Sequence, residues 1–415
     1  MPRVAAARTL RPFVADLLVI VKGLRNATKR GFRPRPPGPE SIRPLRVGVD
    51  IRPFYEPLTG VGWYLHHLLE ELSRRDVELI FFGDPLVTDD GPHLYVSLPS
   101  EGQARCFDFR GRHVSPLARP MARVAFPLLA LLERCDLFFG ANYFLSRSLS
   151  AIALRRVVTV HDLTFKRFPH MLQAETLENL ATEMQRELFR CDAAISVSEA
   201  TRTDLLTYFE IDEKKTFVVH SGLAPLPTAG EVVDLPEDFL LFVGTIEPRK
   251  NLEILVDAFE TLRSSASYQG DLVIVGKVGW KSEAILERIS RSPWRSSIHH
   301  LDYLRREQLT TVYRRCRVFV LPSHYEGFGF PLLEAMSENA PSIAARSSSL
   351  PEIGGQAALF FEPGNVHDLI EKISLILSDH DLRRDLIEKG RAQAGRFRWQ
   401  DTAEKTLSIF RSAAR

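Results

Sequence analysis

The chain has 415 residues, 45% of them hydrophobic, with 54 Lys+Arg against 52 Asp+Glu and a formal net charge of +2. At roughly 150 residues per domain this length accommodates two to three domains, and the apolar share excludes wholesale disorder and fibrous repeats. Near-zero net charge argues against nucleic acid as a partner, and the widely spaced Cys106, Cys135, Cys191 and Cys316 argue against a disulfide scaffold or structural zinc site.

The charge is unevenly placed. Residues 1–46 hold eleven basic side chains against Asp16 and Glu40, a local +9 that leaves −7 for the rest. Apolar residues over 10–28 fit an amphipathic helix, and Pro34, Pro36, Pro37, Pro39 and Pro44 make 31–45 an extended linker. Two readings of this leader stand: a poorly ordered tail, or a surface-lying helix. In the second, Phe13, Leu17, Leu18 and Val21 enter lipid headgroups, and residues 1–30 meet an anionic membrane surface. The apolar run at 13–21 is short, contains Asp16 and lacks a small-residue cleavage site, which speaks against a secretory signal. No run of about 18 apolar residues is present to span a bilayer. The expected location is cytoplasmic, with the leader resting on the inner face of the plasma membrane.

From residue 45 the pattern becomes strand, turn, helix, repeated. Strands are predicted at 45–51, 77–82, 137–139, 156–160, 193–197 and 217–220, with a Gly60-Val61-Gly62 turn before a helix at 63–73 and another helix at 201–208. Pro-rich 225–236 reads as an interdomain linker. A second series follows: strands at 239–243, 272–275 and 318–321, and helices at 252–264, 331–338 and 367–378. Such alternation means βαβ units around parallel sheets. The expected organisation is a leader and linker at 1–45, an N-terminal domain at 46–224, a linker at 225–238, a C-terminal domain at 239–398 and a terminal helix at 399–415. That last helix is expected to return toward the first domain, with Trp399 packed in core.

Ligands of open α/β sheets bind beyond the carboxyl ends of strands, where helix N-termini point at them. The strongest such signal follows the strand ending at Leu321: Glu326-Gly327-Phe328-Gly329-Phe330-Pro331-Leu332-Leu333-Glu334. The glycines let backbone approach a ligand, Pro331 fits a first helical turn, and the helix-start N–H groups suit phosphate oxygens. Glu334 offers two acceptors to a vicinal diol, and Glu326 stands at the loop's entrance. The second signal is Gly244-Thr245-Ile246-Glu247-Pro248-Arg249-Lys250-Asn251. Two cations before a helix start make a diphosphate clamp.

These motifs resemble retaining nucleotide-sugar glycosyltransferases of family 4, over about residue 45 to the end. Both C-terminal motifs match, as do Gly60-Val61-Gly62 and His161-Asp162 in the N-terminal half. The resemblance implies a GT-B fold: two Rossmann-like domains facing a central cleft. It implies a nucleoside-diphosphate-sugar donor and no resident cofactor or metal. Glu326 would lie beside the donor hexose, the Phe328-Gly329 backbone would contact it, Glu334 would hold the ribose, and Lys250 would neutralise the diphosphate. His161 would line the sugar or acceptor side, with Gly60, Val61 and Gly62 approaching the phosphate from the other domain. One departure stands out: many members carry Arg directly after the strand glycine, where this chain has Thr245. Arg249 is the candidate substitute. The Glu-Pro-Arg-Lys-Asn branch leans toward GDP-mannose, and the basic leader toward a saccharide or lipid-linked saccharide acceptor in surface polysaccharide synthesis. A covalent role for Glu326 beneath the sugar stays open, as do two rival functions: a nucleotide-sugar epimerase and a non-catalytic partner in polysaccharide assembly. Asp379-His380-Asp381 reads as a helix cap rather than a metal-binding D-x-D. His220 and His324 are expected to be structural.

Overall fold

In the computed structural model, the described residues are 43–54, 60–82, 105–107, 131–172, 174–227 and 233–415. The expected leader helix and nearly all of the 31–45 linker lie outside them. The first sheet holds β1 (Leu45–Asp50), β2 (Val77–Phe82), β3 (Arg105–Phe107), β4 (Leu137–Gly140), β5 (Arg156–Val160), β6 (Ala193–Ser196) and β7 (Thr216–Val218), in the order β3-β2-β1-β4-β5-β6-β7. The second holds β8 (Phe239–Val243), β9 (Asp271–Val275), β10 (Ile298–Leu301), β11 (Val318–Leu321), β12 (Ser342–Ala345) and β13 (Ala358–Phe361), in the order β10-β9-β8-β11-β12-β13. All the pairings are parallel; Val49, for example, sits opposite Phe81 on one side and Phe139 on the other. Parallel strands are covered by helices on both faces and read as continuous apolar runs. Phe-Leu-Leu-Phe-Val in β8 and Val-Phe-Val-Leu in β11 are buried throughout.

The longer helices are α1 (Gly60–Ser73), α2 (Ala174–Arg190), α3 (Glu199–Tyr208), α4 (Leu252–Ser264), α5 (Glu283–Ser290), α6 (Arg306–Arg315), α7 (Phe330–Ser337), α8 (Leu350–Gly354), α9 (Val366–Ser378), α10 (His380–Ala394) and α11 (Trp399–Ala413). In each sheet the strand order reverses once, between β1 and β4 and between β8 and β11. Such switch points are where an open α/β sheet leaves a crevice for ligand.

The C-terminal helix does return to the first domain. α11 packs on α1, the Phe410 ring lies 5.0 Å from Phe139 in β4, and Trp399 is buried against Tyr64. One expectation is corrected: Gly60, Val61 and Gly62 are not a turn before the helix but its first turn. A Cβ built on Gly60 would meet nothing within 4 Å, so packing does not demand glycine at that position. Asp379 caps α10, its carboxylate accepting from the N–H groups of Asp381 and Leu382 at 3.0 and 2.9 Å.

Candidate active site

β8 and β11 are hydrogen-bonded neighbours, so the loops leaving their carboxyl ends lie side by side. After β8 the chain runs through Gly244 and the exposed Thr245 into a 3-10 turn, Pro248–Lys250. Asn251 then takes a left-handed conformation (φ 51°, ψ 43°) and admits α4. After β11 it runs through Ser323 and Glu326 to Gly329, whose φ of 100° redirects the backbone into α7 without a side-chain cap. Only glycine enters that region at little cost; within the first turn of α7, Pro331 has no N–H and the Leu332 N–H donates to the Gly329 carbonyl at 3.1 Å.

The two loops meet at Glu326. Its Oε1 accepts from Lys250 Nζ at 2.5 Å and Ser323 Oγ at 2.7 Å, and its Oε2 accepts from Arg249 Nη1 at 2.9 Å. Arg249 also donates to the Tyr325 carbonyl at 2.7 Å and to Glu247 Oε1 at 2.6 Å. Two cations and two carboxylates thus balance within one buried cluster; Glu326 is 6% exposed, Lys250 7% and Glu247 3%. Burial alone would raise the Glu326 carboxyl, but the charges of Lys250 and Arg249 overcome it and hold the group at about 2. Burial and the Arg249 charge lower Lys250, while Glu326 opposes them. Arg249 enters this cluster from the 3-10 turn, whereas Thr245, directly after the strand glycine, is exposed.

Glu334, eight residues on, has different partners. Tyr313 donates its hydroxyl to Oε2 at 3.1 Å, and the Arg306 guanidinium lies 4.0 Å from Oε1. Burial raises this carboxyl, with Arg306 and Tyr313 pulling the other way. The two glutamates therefore occupy separate electrostatic environments on one loop–helix unit.

The N-terminal domain closes on this unit. A Cβ on Gly327 would stand 1.9 Å from the His161 carbonyl oxygen, so the loop backbone touches the backbone after β5. Ser198 and Thr201, at the start of α3, donate to the Gly327 carbonyl at 2.7 and 3.3 Å. Tyr325 inserts between Leu163 and Asp204, accepting from the Leu163 N–H at 3.2 Å and donating to Asp204 at 2.8 Å. The His161 ring shares a 2.7 Å hydrogen bond with the Ala141 carbonyl through Nε2. A carbonyl can only accept, so Nε2 carries the proton and Nδ1 is the acceptor of the neutral ring. Burial lowers this histidine, keeping it neutral. Tyr64, in the second turn of α1, meets His161 edge-on with ring centres 4.9 Å apart.

The structure thus brings Glu326, Arg249, Lys250, Gly327 and the His161 backbone into one contact network, with Phe328, Gly329, Phe330 and Glu334 continuing from it. Phe328 does not face the clamp through its ring, which packs on Phe330 and Phe397 at 5.0 and 5.7 Å. Sequence reading missed Ser323, Glu247, Tyr325 and Asp204. It also missed Ser349, which donates to the carbonyls of Glu326 and Phe328 at 2.9 and 3.0 Å and pins the loop from below. His220 has a structural partner: its Nε2 lies 2.5 Å from Glu352, whose carboxylate also accepts from the Glu199 and Ala200 N–H groups of α3. A separate cavity of about 1120 Å³, lined in part by His220, Glu352, Gln393 and Lys405, contains none of the motif residues.

Two family descriptions match the chain in succession: Glycosyltransferase Family 4 over residues 58–225 and Glycosyl transferases group 1 over residues 230–393. The chain is 28% identical over 388 residues to the O-antigen chain mannosyltransferase B of Escherichia coli, covering 88% of this chain and 100% of that one. Sucrose-phosphate synthase from Thermosynechococcus elongatus aligns with a TM-score of 0.68 at 20% identity, over 89% of this chain and 98% of the other. Anabaena HepE in complex with UDP-glucose aligns with a TM-score of 0.64 at 15% identity, over 89% and 100%. At such identities the two structures bear on the fold, which is the GT-B arrangement of two Rossmann-like sheets. With both halves matched and the cleft motifs of each half in contact, the chain belongs to glycosyltransferase family 4.

Proposed function

We propose that this glycosyltransferase moves a mannose from GDP-mannose to a saccharide or lipid-linked saccharide acceptor in surface polysaccharide synthesis, with retention at the anomeric carbon and without metal. The observation that carries the reading is the buried Arg249–Lys250–Glu326 cluster at the switch point. The choice of sugar is supported by the full-length similarity to an O-antigen chain mannosyltransferase. The basic leader supports an acceptor presented at an anionic membrane, and no helix among the described residues is long and apolar enough to cross one.

Transfer breaks the bond between the anomeric carbon and the diphosphate oxygen, and the electron pair leaves with the diphosphate. Arg249 and Lys250 are the cations that meet this growing charge, assisted by the positive end of the α7 dipole. Held by Glu326 and Glu247, they are oriented before substrate arrives, so little reorganisation is left for the reaction itself. The acceptor hydroxyl bonds to the same face of the sugar, and its proton passes to the departing phosphate oxygen. Glu326 is poorly suited to be the covalent nucleophile: both oxygens already accept from cations or Ser323, and a carboxyl at about 2 is a weak base. Its role in this reading is to set the clamp. Glu334 takes the ribose diol, Gly60, Val61 and Gly62 offer the first turn of α1 to the phosphates, and His161 lines the sugar side.

Thermal melting with GDP-mannose, UDP-glucose and their diphosphates tests the donor. Ligand at about 100 times its Kd adds about 2.7 kcal/mol to stability. Stabilisation by GDP-mannose followed by mannose transfer to a lipid-linked saccharide is expected. Stabilisation by UDP-glucose alone would overturn the donor, and release of an isomerised sugar without any acceptor would overturn transfer.

A further inference from the structure

Arg306, the first residue of α6, belongs to none of the motifs above, yet its side chain meets three parts of the molecule at once. Its guanidinium lies 5.4 Å from the centre of the Trp63 ring, in the first turns of α1 in the N-terminal domain. Nη1 lies 4.0 Å from Glu334 Oε1 in the C-terminal domain. Nη2 donates to the carbonyls of Ala224 and Pro225 at 3.1 and 3.4 Å, where the chain passes from one domain toward the other. The Trp63 ring is itself held from behind by His67, stacked at 5.6 Å.

A planar, permanently charged fork suits this combination. One face lies over the aromatic ring, and the edges address a carboxylate and two carbonyls. Domain opening that carries α1 away would remove the Trp63 face and leave the guanidinium to redistribute among its other partners.

We propose that Arg306 is a positioning residue: it sets the Glu334 carboxylate for nucleotide binding and does so fully only when α1 and the 224–225 crossover are in their closed places. The proposal rests on the assignment of Glu334 to the ribose of the donor. The charged and titratable groups facing Glu334 are Arg306 and Tyr313 from α6 and Glu338 from its own helix. Arg306 heads the influences that favour the ionised form, and burial opposes it. Removing Arg306 therefore shifts protonation of Glu334 to higher pH, where the diol loses a charged acceptor.

The test is calorimetric titration of the full chain with GDP and with UDP, from pH 8 down to the ordinary carboxyl range near 4.5, on Arg306→Met, Arg306→Lys, Glu334→Gln and the Arg306→Met/Glu334→Gln pair. For the tighter of the two nucleotides, Arg306→Met is expected to weaken binding about 10-fold. Its loss of affinity on acidification should set in at higher pH than in the parent. Arg306→Lys should recover part of the affinity, and Arg306→Met should add little to Glu334→Gln. Undiminished affinity of Arg306→Met, an unshifted pH profile, or full additivity of the pair overturns the proposal while leaving Glu334 in place. Parent affinity in Glu334→Gln instead overturns the ribose assignment, and absence of binding by both nucleotides to the parent overturns both. Melting temperatures of all variants separate these outcomes from unfolding, and a kcat loss in Arg306→Met without weakened binding also counts against positioning.

Discussion

Replacing Glu326 by Gln changes one atom and removes the charge on which two buried cations depend. The carboxylate accepts three hydrogen bonds, two from Lys250 and Arg249, and is 6% exposed. Holding the group at about 2 in place of its usual 4.5 is worth about 3 kcal/mol at neutral pH, at ~1.36 kcal/mol per pK unit. Removing one partner from a buried pair costs ~3–5 kcal/mol, the same order, because the other charge is stranded. Here Arg249 keeps Glu247 at 2.6 Å, and Lys250 becomes the stranded group. At ~2–4 °C per kcal/mol for domains of this size, a loss of about 3 kcal/mol should make Glu326→Gln melt about 6–12 °C below the parent. Turnover should fall as well, by ~10²–10³-fold for the loss of one aligned electrostatic element. The pH profile provides an internal control. A carboxyl depressed on folding stabilises above its unfolded value near 4.5, and that contribution drains away as pH falls toward 2. The parent should lose stability through that window, and Glu326→Gln should lack this part of the loss. Differential scanning calorimetry from pH 2 to 7, with steady-state kinetics at neutral pH, measures both. Parent-like melting and parent-like kcat in Glu326→Gln would refute the cluster as both scaffold and clamp.

Glu334→Ala should mainly raise the donor KM, since a ribose contact is made equally in ground and transition states; an unchanged KM in initial-rate kinetics would remove it from the site. Gly327→Ala places a Cβ against the His161 carbonyl, which it would approach to 1.9 Å, so the loop must withdraw from the N-terminal domain. Both melting temperature and kcat should drop, and a fully active Gly327→Ala would show that the contact is not needed during turnover. Deleting residues 1–44 should release the protein from anionic liposomes while GDP-mannose stabilisation persists; undiminished cosedimentation would sink the anchor reading.

Much of the framework was legible because the relevant physics is local. The apolar runs of β8 and β11 and the proline at the head of α7 mark strand ends and a helix start within a few residues. Gly60 shows the limit of that reading: a glycine signals conformational freedom, which suits a turn and a helical first turn alike. α2 was missed although Leu177, Leu180, Met184 and Leu188 recur at helical spacing and pack in or against the core, a signal present in the sequence but passed over. The partners of Glu326 were half readable. Arg249 and Lys250 sit in a motif, but Ser323 and Glu247 are ordinary residues whose meaning comes from β8 pairing with β11. Arg306 carried no local signal at all. Its contacts with Trp63, Glu334 and the 224–225 carbonyls join segments far apart in sequence, which only the folded arrangement of two domains brings within reach.

The central claim is that Lys250 and Arg249 act on charge that appears during bond cleavage rather than on the donor at rest. The most direct measurement is the single-turnover rate of Lys250→Met at saturating GDP-mannose, with donor Kd determined separately and folding verified by melting. Lys250→Met should bind donor within a few-fold of the parent and transfer sugar ~10²–10³-fold more slowly. A variant that binds weakly yet transfers at the parent rate would contradict the account, assigning the lysine to ground-state binding alone.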